Sequence, residues 1–99
     1  MASQKEYLDF ILDQLDDPEN FSYRPMMGEY LLYYRGKLIG GIYDDRLLLK
    51  PTKSALALTG TPVMALPYEG AKEMLLAEAV DDREFLQKLI KAVYTDLTK

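Results

Sequence analysis

Apolar residues recur at helical spacing near both ends of the chain. In the N-terminal segment, the polar residues Asp9, Asp13 and Gln14 are expected to face solvent. With Phe10 beside it, the N-terminal stripe consists of Tyr7, Leu8, Ile11, Leu12 and Leu15. The C-terminal stripe consists of Phe85, Leu86, Leu89, Ile90, Val93, Tyr94 and Leu97. Because residues three and four positions apart share one side of a helix, the pattern predicts two amphipathic helices that each bury one face.

Both predicted helices are preceded by residues with the spacing of an N-terminal cap. Ser3 and Glu6 match a capping box, in which each side chain accepts a hydrogen bond from the other residue's backbone amide. Asp81 and Glu84 repeat this arrangement before the second stripe. We therefore expect Ser3 and Asp81 to be the N-caps of the two helices.

A sheet-forming unit occupies residues 27–50. Its runs of Tyr, Leu and Ile are interrupted at Arg35-Gly36 and Asp44-Asp45, where residues that tolerate tight turns stand between apolar segments. The pattern predicts three antiparallel strands joined by two hairpin turns. Residues 21–27 are also expected to be extended, and Pro25 favours an edge strand because proline has no amide hydrogen to donate to a neighbour.

Both faces of this sheet are expected to need cover. In residues 30–34 both alternating sets of side chains are apolar, since the five residues are three tyrosines and two leucines. The two terminal helices can cover one face, so either the loop after Lys50 or a second subunit is expected to cover part of the other. In the middle strand, Gly40-Gly41 is expected to allow a bulge or a close backbone approach.

The segment after the sheet unit is less regular. Residues 54–58 fit about two helical turns that start near Pro51-Thr52. Residues 61–67 are expected to form a loop, and residues 71–77 fit either a strand or a helix, of which we favour the strand. Residues 1–99 are therefore expected to form one α+β domain, an antiparallel β-meander sheet with the N- and C-terminal helices packed on one face.

The composition excludes several kinds of chemistry. The chain contains no Cys and no His, which excludes disulfides, thiolate metal sites and the commonest general base. The N-terminus lacks the apolar core of a signal peptide, and no apolar run approaches the ~20 residues that span a bilayer. We therefore expect a cytoplasmic domain that does not associate with a membrane.

The remaining candidates for catalysis are carboxylates and hydroxyls. Paired acids occur at Asp16-Asp17, Asp44-Asp45 and Asp81-Asp82, and two carboxylates in one pocket can divide acid and base roles. Their positions at a helix end, a turn and a helix cap favour structural roles instead. The sequence has no calcium-loop or phosphate-loop spacing and no histidine to activate a serine. It therefore predicts a non-enzymatic protein without a metal ion or a cofactor.

Charge is distributed unevenly along the chain. The formal net charge of the protein is −4, whereas residues 21–53 carry a net charge of +3. Arg46 and Lys50 are expected to share a strand face that leads to Lys53 at a helix start, where cations and backbone amides can attract an anion. The alternative, which we favour, is that these side chains solvate a sheet edge and discourage aggregation.

A wider basic set is a candidate surface for an anion, a partner protein or nucleic acid. It consists of Arg35, Lys37, Arg46, Lys50 and Lys53. The eight tyrosines can stack on bases, although tyrosines in a sheet more often complete a core or an interface. The acidic net charge opposes non-specific attraction to phosphates. Nucleic-acid association is therefore the alternative hypothesis.

A series of residues extends over both hairpins and the segment after them, at Met27-Gly-Glu29, Leu32-Tyr33, Gly36-Lys37, Gly40, Asp45, Leu47-Leu-Leu-Lys50, Pro67-Tyr68 and Gly70. This series resembles the N-terminal domain of the TfoX (Sxy) competence-regulator family. Two positions differ from the usual residue of that family, since Met27 stands where it often has Phe and Leu31 where it often has Gly. The resemblance covers nearly the whole chain and implies a bacterial, cytoplasmic domain with helices on an antiparallel sheet. It implies no catalytic residues, and the separate C-terminal helical domain of full-length regulators is not expected here.

The leading hypothesis is a non-enzymatic regulatory or protein-interaction domain related to regulators of transcription. We expect a protein partner, which the sequence does not identify. This partner can be a second copy of the chain, bound through an apolar sheet face or edge to form a homodimer. The hypothesis is motivated by apolarity on both faces of the sheet without a catalytic set. A carboxylate-dependent enzyme is the least favoured alternative.

Overall fold

Six strands in residues 3–99, the part of the chain that this computed structural model describes, form one antiparallel sheet. In chain order the elements are α1 (Lys5–Leu15), β1 (Phe21–Met26), β2 (Glu29–Tyr34), β3 (Lys37–Ile42), β4 (Leu47–Leu49), α2 (Lys53–Thr59), β5 (Met64–Ala65), β6 (Met74–Leu76) and α3 (Arg83–Leu97). The strand order is β1-β2-β3-β4-β6-β5, so the first four strands form a meander and β6 pairs with β4. The predicted α+β class, with both terminal helices contacting the sheet, is confirmed.

Tight turns connect the first four strands, and both central residues of each turn have a positive φ angle. These pairs are Met27-Gly28, Arg35-Gly36 and Asp44-Asp45. Turns of this kind match the right-handed twist of the flanking strands, and Gly and Asp tolerate the left-handed conformation well. The two predicted hairpin turns are confirmed, and so is β1 as an edge strand that contains Pro25.

Both expectations for the glycine pair in β3 are confirmed. The register between β2 and β3 shifts at Ile39, which has no partner of its own, and this forms a bulge. A methyl group on Gly40 would overlap with the carbonyl oxygen of Leu48. A methyl group on Gly41 would lie 2.7 Å from Cε2 of Tyr43. Glycine at both positions therefore permits the close packing of these strands.

The core lies between the helices and one face of the sheet, which we call the helix-covered face. Its strand residues include Leu32, Ile39, Ile42, Leu47, Leu49 and Leu75, all with no exposed surface. The helices α1 and α3 contribute Leu8, Ile11, Leu15, Leu86, Leu89, Ile90 and Val93. Because burying one such side chain stabilises the fold by about 1.5–3 kcal/mol, this face supplies most of the hydrophobic stabilisation.

The predicted N-caps of the terminal helices were wrong. The N-cap of α1 is Gln4, without a side-chain cap, because the Ser3 hydroxyl donates to a carboxylate oxygen of Glu29 at 2.6 Å. The N-cap of α3 is Asp82 rather than Asp81, and its carboxylate accepts from the amide three residues further on at 3.1 Å. In the first case a partner distant in sequence replaces the local cap.

Predictions for individual segments had mixed outcomes. Gln14 was expected to face solvent, but it is buried, and its side-chain amide donates to the carbonyl oxygen of Val80 at 2.9 Å. Residues 61–67 are not entirely a loop, since they contain the two-residue strand β5, which pairs with β6. The favoured strand within residues 71–77 is confirmed as β6. The predicted short helix is confirmed as α2, with Thr52 as its N-cap.

Candidate functional site

The face of the sheet opposite the helices is apolar but only partly covered. We call it the open face. Tyr43 and Leu48 on this face are buried, although they do not belong to the core under the helices. The other apolar side chains of the open face are partly exposed. The strand register assigns to this face Leu31, Tyr33, Leu38, Tyr43, Leu48, Met74 and Leu76.

The loop of residues 66–73, between β5 and β6, supplies cover for part of the open face. Pro67 in this loop is buried, and the ring centroids of Tyr68 and Tyr43 lie 6.4 Å apart. Burial raises the pKa of Tyr43 above its ordinary value, and the nearby Tyr68 and Glu29 raise this pKa further. Of the two kinds of cover expected for this face, a loop after the sheet unit is therefore present.

A groove of about 440 Å³ lies on the open face beside this loop. Leu38 and Met74 contribute to its apolar lining, and Lys50, Lys72 and Glu73 also line it. Within residues 3–99, neither lysine has a carboxylate oxygen at ion-pairing distance. We call this the lysine groove, and its combination of apolar and cationic side chains suits a ligand with apolar and anionic parts.

A second groove, of about 540 Å³, adjoins the first. Met26, Met27 and Glu29 line it, and Met27 is 96% exposed. Tyr43 and Tyr68 line both grooves, so their contact stands between the two depressions. We call this second depression the methionine groove. Flexible methionine side chains can adapt to apolar groups of different shape.

The glutamate of the methionine groove belongs to a hydrogen-bond network that fixes the start of α1. Its Oε1 accepts from the Ser3 amide at 2.7 Å, and its Oε2 accepts from the Asp44 amide at 3.1 Å. The Ser3 hydroxyl accepts from the Asp45 amide at 3.1 Å, and Asp45 Oδ1 accepts from the Gln4 amide at 2.9 Å. Both carboxylate oxygens of Glu29 and one of Asp45 are therefore bonded to the backbone.

The five basic residues of the candidate set do not form one surface. Arg35 and Lys37 lie at the turn between β2 and β3. Lys50 is at the same end of the sheet, since its amide donates to a carbonyl oxygen of β3 at 2.9 Å, and Lys53 begins α2 next to it. Arg46 lies four residues before Lys50 at the other end of β4, a separation of about 13 Å along an extended chain.

The guanidinium group of Arg46 binds backbone carbonyls. Its Nε donates to the carbonyl oxygen of Tyr43 at 3.2 Å, and its Nη2 donates to that of Leu66 at 3.1 Å. These bonds connect the hairpin between β3 and β4 to the loop of residues 66–73. Arg46 is therefore a positioning residue for the wall that the two grooves share.

The start of α2 already binds an anionic group of the protein itself. Asp96 of α3 accepts from the Ser54 amide at 2.7 Å and from the Ser54 hydroxyl at 2.8 Å. These hydrogen bonds, of which the backbone bond has the larger effect, lower the pKa of Asp96 from 3.8 to about 2. The Thr52 amide donates to the Lys50 carbonyl at 2.8 Å. Two amides of the helix start that was expected to attract an external anion, those of Thr52 and Ser54, therefore have internal partners.

Several residues of the grooves were not among the predicted site residues. Tyr43 precedes the predicted turn at Asp44-Asp45, and Pro67 ends the predicted loop of residues 61–67, but no local pattern places these two residues beside Tyr68. Pairing of β6 with β4 brings the loop of residues 66–73 over the open face. In the described range no group of three or more acidic residues could hold a metal ion, and no helix there is long and apolar enough to cross a membrane.

The fold and its grooves define a small α+β domain whose sheet is closed by helices on one face and partly uncovered on the other. The chain is 34% identical over 92 residues to a Spirochaeta aurantia protein described as "Uncharacterized 12.7 kDa protein in trpE 5'region". The alignment covers 92% of this chain and 80% of that protein. The chain therefore belongs to the same family as this bacterial protein. No model of a known protein family and no solved structure matches it.

Proposed function

We propose that the protein is a non-enzymatic regulatory or protein-interaction domain that binds its partner through the open face. The observation that carries the proposal is the partly exposed apolar set on that face, which includes Leu31, Tyr33 and Leu38. The core of the domain lies on the other face, so these side chains are accessible to a partner. Contiguous apolar surface beside polar residues is typical of interaction sites.

The positions of the acidic residues support a binding role over catalysis. Asp45, Asp82 and Asp96 each accept a hydrogen bond from a backbone amide at a turn or a helix start. Carboxylates used in this way stabilise local structure. These structural roles of the aspartates, together with the lack of Cys and His in the sequence, favour a protein that functions by binding a partner and not by catalysis.

The resemblance to the N-terminal domain of TfoX competence regulators supports a regulatory role in the cytoplasm. The bacterial origin of the Spirochaeta aurantia relative agrees with such a setting. A domain of this kind would influence transcription through the protein that it binds. On this proposal, the open face is the part of the domain that selects the partner.

The proposal is tested by affinity capture from a lysate of the source organism. We compare the wild-type protein with Leu38→Asp on the open face and with the matched control Leu58→Asp, since Leu58 is an exposed leucine of α2. The wild type and the control should retain the same protein, and Leu38→Asp should lose it while keeping its circular dichroism spectrum. No specific capture, or equal capture by all three proteins, would contradict the proposal.

A second copy of the chain is one partner that the open face or the edge strand β1 can bind. Four central residues of β1 are exposed, and Pro25 among them lacks the amide hydrogen for a further strand, which favours the face over the edge. Light scattering over a range of concentrations measures this association. A dimer that Leu38→Asp dissociates would support it, and a strict monomer at high concentration would exclude the homodimer.

Nucleic-acid association is the second candidate function. It is favoured by the location of Arg35, Lys37, Lys50 and Lys53 at one end of the sheet, although Arg46 is at the other end and the net charge is −4. Binding of this kind depends on counterion release. Affinity for a DNA duplex should therefore fall with added salt and with charge reversal at Lys50 and Lys53. An affinity unchanged by both would exclude this function.

A further inference from the structure

We propose that the lysine groove and the methionine groove form one trough that binds an extended peptide segment of a partner protein. Two apolar side chains of the segment occupy the two grooves, and an acidic side chain lies at the lysine end. This inference rests on the proposed interaction function and specifies the chemistry of the partner.

The two grooves lie next to each other, because they share a wall. Tyr43, Pro67 and Tyr68 line both, and the Tyr43–Tyr68 contact lies between the two depressions. Along β3 and the residue that follows it, the five steps from Leu38 to Tyr43 span about 16 Å. An extended peptide of about five residues has the same length, so one short segment can occupy both grooves.

The dimensions of the shared wall suit alternate side chains of an extended chain. Residues i and i+2 of such a chain point to the same side and lie about 7 Å apart. One side chain can therefore enter on each side of the Tyr43–Tyr68 contact. The two binding positions differ in shape, because Leu38 and Met74 line one groove, whereas Met26 lines the other.

The charges give the trough a direction. Lys50 and Lys72 stand at one end with Glu73, which leaves one net positive charge there. Glu29 is at the other end, and both of its carboxylate oxygens already accept hydrogen bonds from backbone amides. An acidic side chain of the segment is attracted to the lysine end, and a basic one is disfavoured there. The opposite orientation would place the acidic side chain beside Glu29.

The trough is largely preformed. Pro67 is buried, and Arg46 connects the adjacent Leu66 to the hairpin through the carbonyl bonds described above. A wall that is already ordered reduces the conformational entropy lost on binding. Tyr68 is 59% exposed, so its ring is accessible to a ligand.

The test is a selection of random seven-residue peptides displayed on phage against the full-length protein. We expect enrichment of sequences with two apolar residues at alternate positions and an Asp or Glu toward one end. The affinity of the most enriched peptide, measured by fluorescence anisotropy, should fall about tenfold in Lys50→Glu/Lys72→Glu. Tyr68→Ala should reduce the affinity to a similar extent because it removes part of the shared wall.

The matched control is Lys88→Glu/Lys91→Glu, which reverses two exposed charges on α3 and should leave the affinity within about twofold of wild type. Failure to enrich peptides, or an affinity that the variants at positions 50, 68 and 72 leave unchanged, would overturn the proposal. The proposal would also be overturned if the protein forms a dimer that Tyr68→Ala dissociates. In that case a second copy of the chain, and not a peptide segment of another protein, would occupy the trough. If selection fails while affinity capture still depends on Leu38, only the peptide proposal fails. If both fail, the interaction function fails as well.

Discussion

The two faces of the sheet have similar residue types but different cover. Leu32 and Leu31 are neighbours in β2, yet Leu32 is fully buried under the helices, whereas Leu31 is partly exposed on the open face. The 11-residue α1 and the 15-residue α3 close the first face. In residues 3–99, the second face has only the loop of residues 66–73 over part of it. The cover of a strand, rather than its composition, therefore distinguishes core from accessible surface.

This difference separates stability from binding in one small domain. Side chains on the helix-covered face are removed from water and stabilise the fold. Side chains on the open face keep part of their apolar surface exposed, and a partner can still bury it. Substitutions on the two faces should therefore have different consequences, which the following measurements compare.

The largest difference is expected between Leu32→Ala and Leu31→Ala. Removal of the fully buried Leu32 side chain leaves a cavity and should lower the free energy of unfolding by about 2–5 kcal/mol. The same change at the partly exposed Leu31 should lower it by about 1 kcal/mol. Urea denaturation of both variants measures the two values. Equal losses would contradict the assignment of the core to one face.

A somewhat smaller loss of stability is expected at Gly40, in the glycine pair of the central strand β3. A methyl group at Gly40 meets the backbone oxygen of Leu48, so Gly40→Ala should destabilise the protein by about 1–3 kcal/mol. The control is Gly36→Ala, where the added atom has no neighbour within 4 Å and only the positive φ angle is unfavourable. This control should cost about 1 kcal/mol. A cost at Gly40 no greater than that at Gly36 would show that the close approach is unimportant.

Replacement of Arg46 should affect the open face more than the core. Arg46→Met keeps much of the side-chain length but removes the donors to Tyr43 and Leu66, at a cost of about 1 kcal/mol. Amide hydrogen exchange should accelerate more in residues 66–73 than in α3. Arg24→Met, at an exposed position of β1, is the control. Unchanged exchange in the loop would mean that Arg46 does not position it.

The smallest effect, and one that depends on pH, is expected at the contact between α2 and α3. Hydrogen bonds from Ser54 lower the pKa of Asp96 to about 2, below its ordinary value of 3.8. The stabilisation is therefore present above pH ~4 and is lost as the pH falls toward 2. Asp96→Asn should be less stable than wild type at pH 7, and this difference should disappear as the pH falls through 2. The control is Glu78→Gln, at an exposed position, which should have the stability of wild type at pH 7. A difference in stability between Asp96→Asn and wild type that does not change with pH would contradict this assignment.

Features of the fold that depend on local pattern could be predicted from the sequence. Helical spacing revealed the terminal helices, and Arg35-Gly36 revealed a hairpin turn. The cap of α1 could not be predicted, because the partner of Ser3 is Glu29, 26 residues away. The burial of Gln14 likewise depends on a carbonyl oxygen 66 residues away.

The candidate site was predictable only in part, because it depends on strand order. Lys50 was recognised from its charge, but its groove forms only when β6 pairs with β4 and brings the loop of residues 66–73 across. The binding of Ser54 to Asp96, 42 residues away, is also invisible in local sequence. Lys72 carried no distinguishing local signal, and Tyr68 stood out only as one position of the family resemblance.

The measurement that tests the open face most directly is a map of amide chemical shifts in the isotope-labelled protein as a selected peptide is added. We predict that the largest changes occur at Leu38, Tyr43, Tyr68 and Met74, with α1 and the exposed side of α3 unaffected. Changes centred on the helices, or on the small cavity lined by Phe21 and Lys91, would contradict the proposal that the open face is the binding surface.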